Sequence, residues 1–83
     1  MAIRFHPHAK ERMEERGTTR EEIIKTVESG EEFTAKFSRI GFRRNFPYRS
    51  MWRGKGYQTK QVEVYTVKEN EDFIIITVVV KYF

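Results

Sequence analysis

One change of period divides this chain. Up to Gly30 the apolar residues recur at helical spacing, and from Glu32 onward they alternate with polar ones. The helical part carries its own punctuation. Thr19-Arg20-Glu21-Glu22 is a capping box, in which Thr19 caps the backbone and Glu22 reaches back. It opens a helix over about Arg20 to Ser29, with Ile23, Ile24 and Val27 on one face and Gly30 as its stop. An earlier helix runs from about Pro7 to Arg16. Pro7 suits the first helical position, where its missing N–H costs nothing, and Gly17 can take the left-handed cap. Two helices of about 10 residues are marginal alone and need a sheet to pack on.

The alternating part supplies that sheet. Phe33, Ala35 and Phe37 read as a first strand. A tight turn at Gly41 and the run Phe42 to Phe46 suggest a second. Pro47 to Gly56, with one proline and two glycines, reads as a loop. A third strand spans about Tyr57 to Lys68, Glu69-Asn70-Glu71-Asp72 is a hairpin turn, and Phe73 to Tyr82 is a fourth, central strand. Alternation places Phe73, Ile75, Val79 and Phe83 on one face of it, against Ile74, Ile76, Val78 and Val80. The expected fold is α+β: two N-terminal helices packed on one face of a four-stranded antiparallel sheet. With 83 residues, the whole chain (1–83) is expected to be one domain around one core.

Several function classes fall away on composition. There is no Cys, hence no disulfide scaffold, thiol chemistry or Cys-ligated zinc. The longest apolar run, Phe73 to Ile76, is far too short for a membrane helix. The N-terminus reaches charge at once and does not read as a secretory signal, so a cytoplasmic location is expected.

The net charge of +4 is unevenly spread. Lys36, Arg39, Arg43, Arg44, Arg49, Arg53, Lys55 and Lys60 fall in one segment that contains no Asp or Glu. Phe37, Phe42, Phe46, Tyr48, Trp52 and Tyr57 are interleaved with them. Cations neutralise phosphates and rings stack on unpaired bases, each stack contributing roughly 1–3 kcal/mol. The pattern reads as a polyanion footprint, with Arg39, Arg44, Arg49, Trp52, Arg53, Lys55 and Lys60 as expected nucleic-acid-binding residues. The competing reading makes the rings core and the cations a solvated face.

The segment His6 to Gly17, around the first helix, holds both histidines of the chain. His8, Arg12 and Glu15 fall at i, i+4 and i+7 and share one face. An imidazole can act as a general base and a neighbouring Arg can hold a phosphate. The plainer alternative is a packed histidine beside an ordinary Arg12–Glu15 ion pair. His6 and His8 straddle a proline, which is no ligand spacing for a metal, so no metal site and no cofactor are expected.

The stretch HPHAKERMEERGTTREEIIKTVESGEE resembles the opening of a bacterial family, the domain of unknown function 4258. His8, Ala9, Arg12, Met13, Arg16 and Gly17 match its His-Ala-x-x-Arg-Met-x-x-Arg-Gly pattern. KFSRIGFRRNF, WRGKGYQTKQVEVYTV and DFIIITVVVKYF look like this family too, so the resemblance covers nearly the whole chain. The family looks related to RelE/ParE-like toxins, whose fold is two helices followed by an antiparallel sheet. Many RelE-like members cut RNA without a metal, ParE-like members poison DNA gyrase, and an antitoxin peptide commonly binds between sheet and helices. The resemblance implies that His8 and Arg12 are a signature polar pair. It also puts Arg43, Arg44 and Tyr82 where basic and aromatic sheet residues are expected, by segment only.

Three functions follow as expectations. The first is a metal-independent endoribonuclease acting on single-stranded RNA, with His8 as base or acid, Arg12 and Arg43 as phosphate clamps and Tyr82 as a stacking or proton-donating group. The second is a non-catalytic nucleic-acid-binding module. The third is an inactive toxin relative acting through an antitoxin or as a homodimer. RNA is the expected partner, ahead of DNA.

Overall fold

The computed structural model describes residues 2–83. Its elements run β1 (Ile3–Phe5), α1 (Pro7–Arg16), α2 (Arg20–Ser29), β2 (Glu31–Thr34), a 3-10 turn (Lys36–Ser38), β3 (Ile40–Trp52), β4 (Lys55–Glu69) and β5 (Asp72–Tyr82). Both helices occupy the expected residues, for the expected reasons. Pro7 is in the first turn of α1, and His6 Nδ1 accepts from the His8 N–H at 3.1 Å. Thr19 and Glu22 form both halves of the capping box.

The sheet is five-stranded and mixed, in the order β1-β5-β4-β3-β2, rather than four-stranded and antiparallel. The added strand, β1, lies parallel to β5 through Ile3↔Phe73 and Phe5↔Ile75. Three residues are too few to show a period, so β1 leaves no pattern of its own. The first expected strand ends early, at Thr34. Phe37 continues its alternation but lies in the 3-10 turn, at φ 62°. Phe73 to Tyr82 is interior as expected, while β4 holds the centre.

The expected loop from Pro47 to Gly56 is mostly strand. β3 and β4 form a long hairpin whose outer half reaches beyond β2, which pairs only with Ile40 to Arg43. Pro47 therefore sits on an edge, where no ladder partner needs its missing N–H. The hairpin closes at Arg53 (φ 51°) and Gly54 (φ 83°), two successive left-handed residues that suit a tight two-residue connection.

Ala9, Ile23 and Val27 of the helices pack on Phe42, Val62, Val64, Ile75 and Val78, so both helices cover the same sheet face. Full burial of each Ile or Val contributes about 1.5–3 kcal/mol. Ile75 and Val78 both belong to this core, which simple alternation forbids. A register shift opposite Tyr65 and Thr66 pairs Thr66 with Ile75 and Tyr65 with Thr77, leaving Ile76 extra. Beyond it Val78, Val80 and Tyr82 face the helices, and Thr77, Val79 and Lys81 face away.

Candidate nucleic-acid interface

Cross-strand partners share a face, so the register sorts the cationic segment into two sets. Phe42, Arg44 and Phe46 lie opposite Val64, Val62 and Lys60, on the helix-covered face. Gly41, Arg43 and Asn45 lie opposite Tyr65, Glu63 and Gln61, on the uncovered face.

On the helix side the cations and rings are structural ties. Lys60 is buried; its ammonium donates to the Gly17 carbonyl and to Glu22 Oε1 at 2.8 Å, and lies 5.7 Å from the Tyr48 ring centre. Arg44 donates to Ser29 Oγ at 2.8 Å and covers Phe46. Arg53 donates to the Glu15 carbonyl at 3.1 Å and covers Trp52. Lys55, at the hairpin tip, leans over Tyr57. Trp52 stacks on Tyr82 with ring centres 4.9 Å apart and planes 16° apart, and Tyr48 and Tyr57 complete the cluster. The interleaving of cations and rings is thus largely cation–π pairing within the chain.

The four expected catalytic residues do not meet. His8 is exposed near the start of α1, and Arg12 pairs with Glu15 at 2.7 Å on the same helix face. Tyr82 is at the other end of α1, roughly 12 Å along its axis, donating to the Arg16 carbonyl at 2.8 Å. Burial, with the charges of Tyr48 and Glu22, pushes its phenol up to about 12. Arg43 is on the opposite face of the sheet.

Arg43 belongs to a different cluster, one that sequence reasoning missed. The Glu63 side chain is only 6 % exposed. Its oxygens face Arg43 at 3.7 Å, Lys81 at 3.4 Å and the Tyr65 hydroxyl at 3.3 Å. Burial and the Glu63 charge raise the Tyr65 phenol. Arg43 also binds Glu31 at 2.7 Å, and that hydrogen bond is the main reason its guanidinium is held above its ordinary value. Its guanidinium covers the Phe33 ring, whose far end packs against Gly41, where a Cβ would come within 2.3 Å of it. The alternation Gln61-Val62-Glu63-Val64-Tyr65 carried the signal: its polar members mark the uncovered face.

This uncovered face is a continuous track. At one end Phe33, Ala35, Phe37, Arg39, Tyr65 and Thr77 line a groove. The Arg43–Glu63–Lys81 cluster follows, then the Asn45–Gln61 hydrogen-bonded pair. At the far end Arg49, Thr59 and Phe83 line a second groove. Among the described residues, no carboxylate lies within 4 Å of Lys36, Arg39 or Arg49. No group of three or more metal-ligating side chains occurs among them, and no helix is long and apolar enough to cross a membrane.

No curated protein and no solved structure matches this chain. A family model described as a domain of unknown function, DUF4258, matches residues 5–80. That match spans both helices, the whole β3–β4 hairpin and nearly all of β5, and by it the chain belongs to the DUF4258 family.

Proposed function

We propose that this protein binds single-stranded RNA along the uncovered face of its sheet. The observation that carries the reading is the gathering of Arg39, Arg43, Arg49 and Lys81 with Phe33, Phe37, Tyr65 and Phe83 on that one face, while the helices cover the other. Among the described residues Arg39 and Arg49 have no carboxylate partner, which makes them the first expected phosphate contacts. Each single-strand phosphate contact contributes about 0.7 to the slope of log affinity against log salt. Replacing both arginines by Gln is expected to lower that slope by about 1.4 in a salt titration with a labelled oligoribonucleotide. An unchanged slope sinks the assignment. The same double change on the helix side, at Arg44 and Arg53, leaves the slope as it was.

A specific observation favours cutting as well as binding. Glu63 is a buried carboxylate beside two cations, on the face that would hold the strand. In metal-independent cleavage Glu63 takes the proton of a 2′-hydroxyl as its oxygen attacks the neighbouring phosphorus. Arg43 stabilises the extra phosphorane charge, and Lys81 protonates the leaving 5′-oxygen as the P–O bond breaks. The products are a 2′,3′-cyclic phosphate and a 5′-hydroxyl. Kinship with the RelE/ParE-like toxins, as the resemblance implies, belongs to this same proposal. In EDTA, the wild-type protein is expected to release the cyclic phosphate, and Glu63→Gln to release at least a hundredfold less, the lower range for one acid–base group. Equal release by both proteins removes Glu63 from the chemistry.

A further inference from the structure

Phe37 is the most exposed of the large apolar side chains among the described residues. It is 86 % exposed, although burying a phenylalanine contributes about 1.5–3 kcal/mol. It is also left-handed, at φ 62° and ψ 36°, and Ser38 follows at φ 59°. A bulky residue at positive φ is a true backbone outlier, costing about 1–2 kcal/mol. The turn is nevertheless closed. The Ala35 N–H donates to the Arg39 carbonyl at 2.9 Å, and the Arg39 N–H to the Lys36 carbonyl at 3.3 Å. The fold thus holds the ring outward at a backbone cost, with 86 % of the residue in solvent.

What surrounds the ring indicates its ligand. Phe37 lines a groove together with Phe33 and Tyr65, which are packed edge to face at 5.9 Å. Thr77 also lines the groove, and a threonine hydroxyl can donate to or accept from a base edge. Lys36 and Arg39 flank Phe37 in sequence, and the Arg39 guanidinium lies 5.9 Å from its ring centre. An aromatic-lined groove that also includes Lys36 and Arg39 fits a flat ring attached to a phosphate chain.

We infer that Phe37 and this groove form a subsite for one unpaired nucleobase. The base stacks on Phe37, and Lys36 and Arg39 take the adjoining phosphates. The inference rests on the RNA-binding reading and deepens it: the track from Arg49 to Arg43 holds backbone, and this end of it grips a base. The slot recognises a π-face, so it is tolerant of base identity.

The test compares two polyanions, a single-stranded oligoribonucleotide and inorganic polyphosphate, which has no bases. Phe37→Ala is expected to weaken RNA binding about tenfold, within the range for one lost base–aromatic stack. Phe37→Trp retains RNA affinity, and polyphosphate binds the wild type and both variants alike. RNA affinity untouched by Phe37→Ala, with the arginine effects intact, overturns the subsite alone. An equal loss on RNA and polyphosphate also overturns it, because Phe37 then only shapes the turn. A wild-type protein that binds neither polyanion overturns the RNA-binding reading itself. Binding only of an aromatic peptide in the groove assigns the slot to a protein partner and overturns the subsite.

Discussion

Replacing Lys60 by methionine is expected to destabilise the protein by about 3 kcal/mol, the lower end of the range for breaking a buried ion pair. The lower end applies because Lys60 is 7 % exposed but Glu22 retains 24 %. The ammonium ties three elements together: β4 carries it, the Gly17 carbonyl ends α1, and Glu22 opens α2. Methionine fills the volume but removes the side-chain donor to the Gly17 carbonyl and leaves the Glu22 carboxylate without its cation, held only by Thr18 and Thr19. In a domain of this size the loss corresponds to a fall in Tm of roughly 12–24 °C in a thermal melt. A second change, Glu22→Gln, is expected to restore part of it, since the penalty lies largely in the stranded charge.

The same pair sets an acid limb. Burial alone would raise the Glu22 carboxyl, but it is held below its ordinary 4.5 by hydrogen bonds from Lys60 and the Thr19 N–H, by the Lys60 charge and by the Thr18 hydroxyl. The folded state therefore favours the carboxylate. The resulting stability is complete above the unfolded value, and it is lost as pH falls through the lower folded value. Urea midpoints measured downward from pH 5 should fall more steeply for the wild type than for Lys60→Met. Parallel curves would detach Glu22 from the acid response.

What the sequence disclosed depended on the range of the interaction. Helix boundaries are local: the Thr19–Glu22 box, Pro7 and Gly17 act within one turn of themselves, and both helices occupy the expected residues. The sheet is built from distant pairings. β1 exists because Ile3 to Phe5 find Phe73 to Ile75, some seventy positions away. β3 runs through Pro47 because β2 stops short of it. The extra residue at Ile76 turns the second half of β5 over, so the alternation that places Ile75 with Val79 fails at one unmarked position. The site suffered from the same cause. An acid-free segment looks like bare charge along the chain, yet Glu31 and Glu63 reach Arg43 from the strands on either side of it, and Glu22 reaches Lys60 from a helix. Charge counted along a sequence is not charge on a surface until the register is known.

Gly17→Ala is the second large expected effect. Gly17 ends α1 at φ 75°, where an alanine costs about 1–2 kcal/mol in backbone strain alone. The position is also crowded. A Cβ there would come within 2.6 Å of Trp52 Cζ3 and 2.7 Å of the Tyr82 hydroxyl, a separation that real Cβ atoms do not tolerate. Trp52 would have to leave its stack on Tyr82, which contributes about 0.5–1.5 kcal/mol beyond burial. The combined loss is about 1.5–3.5 kcal/mol. Gly54 supplies the control: it is left-handed too, at φ 83°, but nothing lies within 4 Å of the same added atom. Gly54→Ala should therefore show the backbone strain alone, and the difference between the two melts reads the contact between helix end and hairpin. Trp52 fluorescence, from the chain's single tryptophan, should shift toward that of a solvated indole in Gly17→Ala and stay put in Gly54→Ala. Equal losses in the two variants, with no spectral change in either, would mean that the outer hairpin is not anchored on α1 through this glycine.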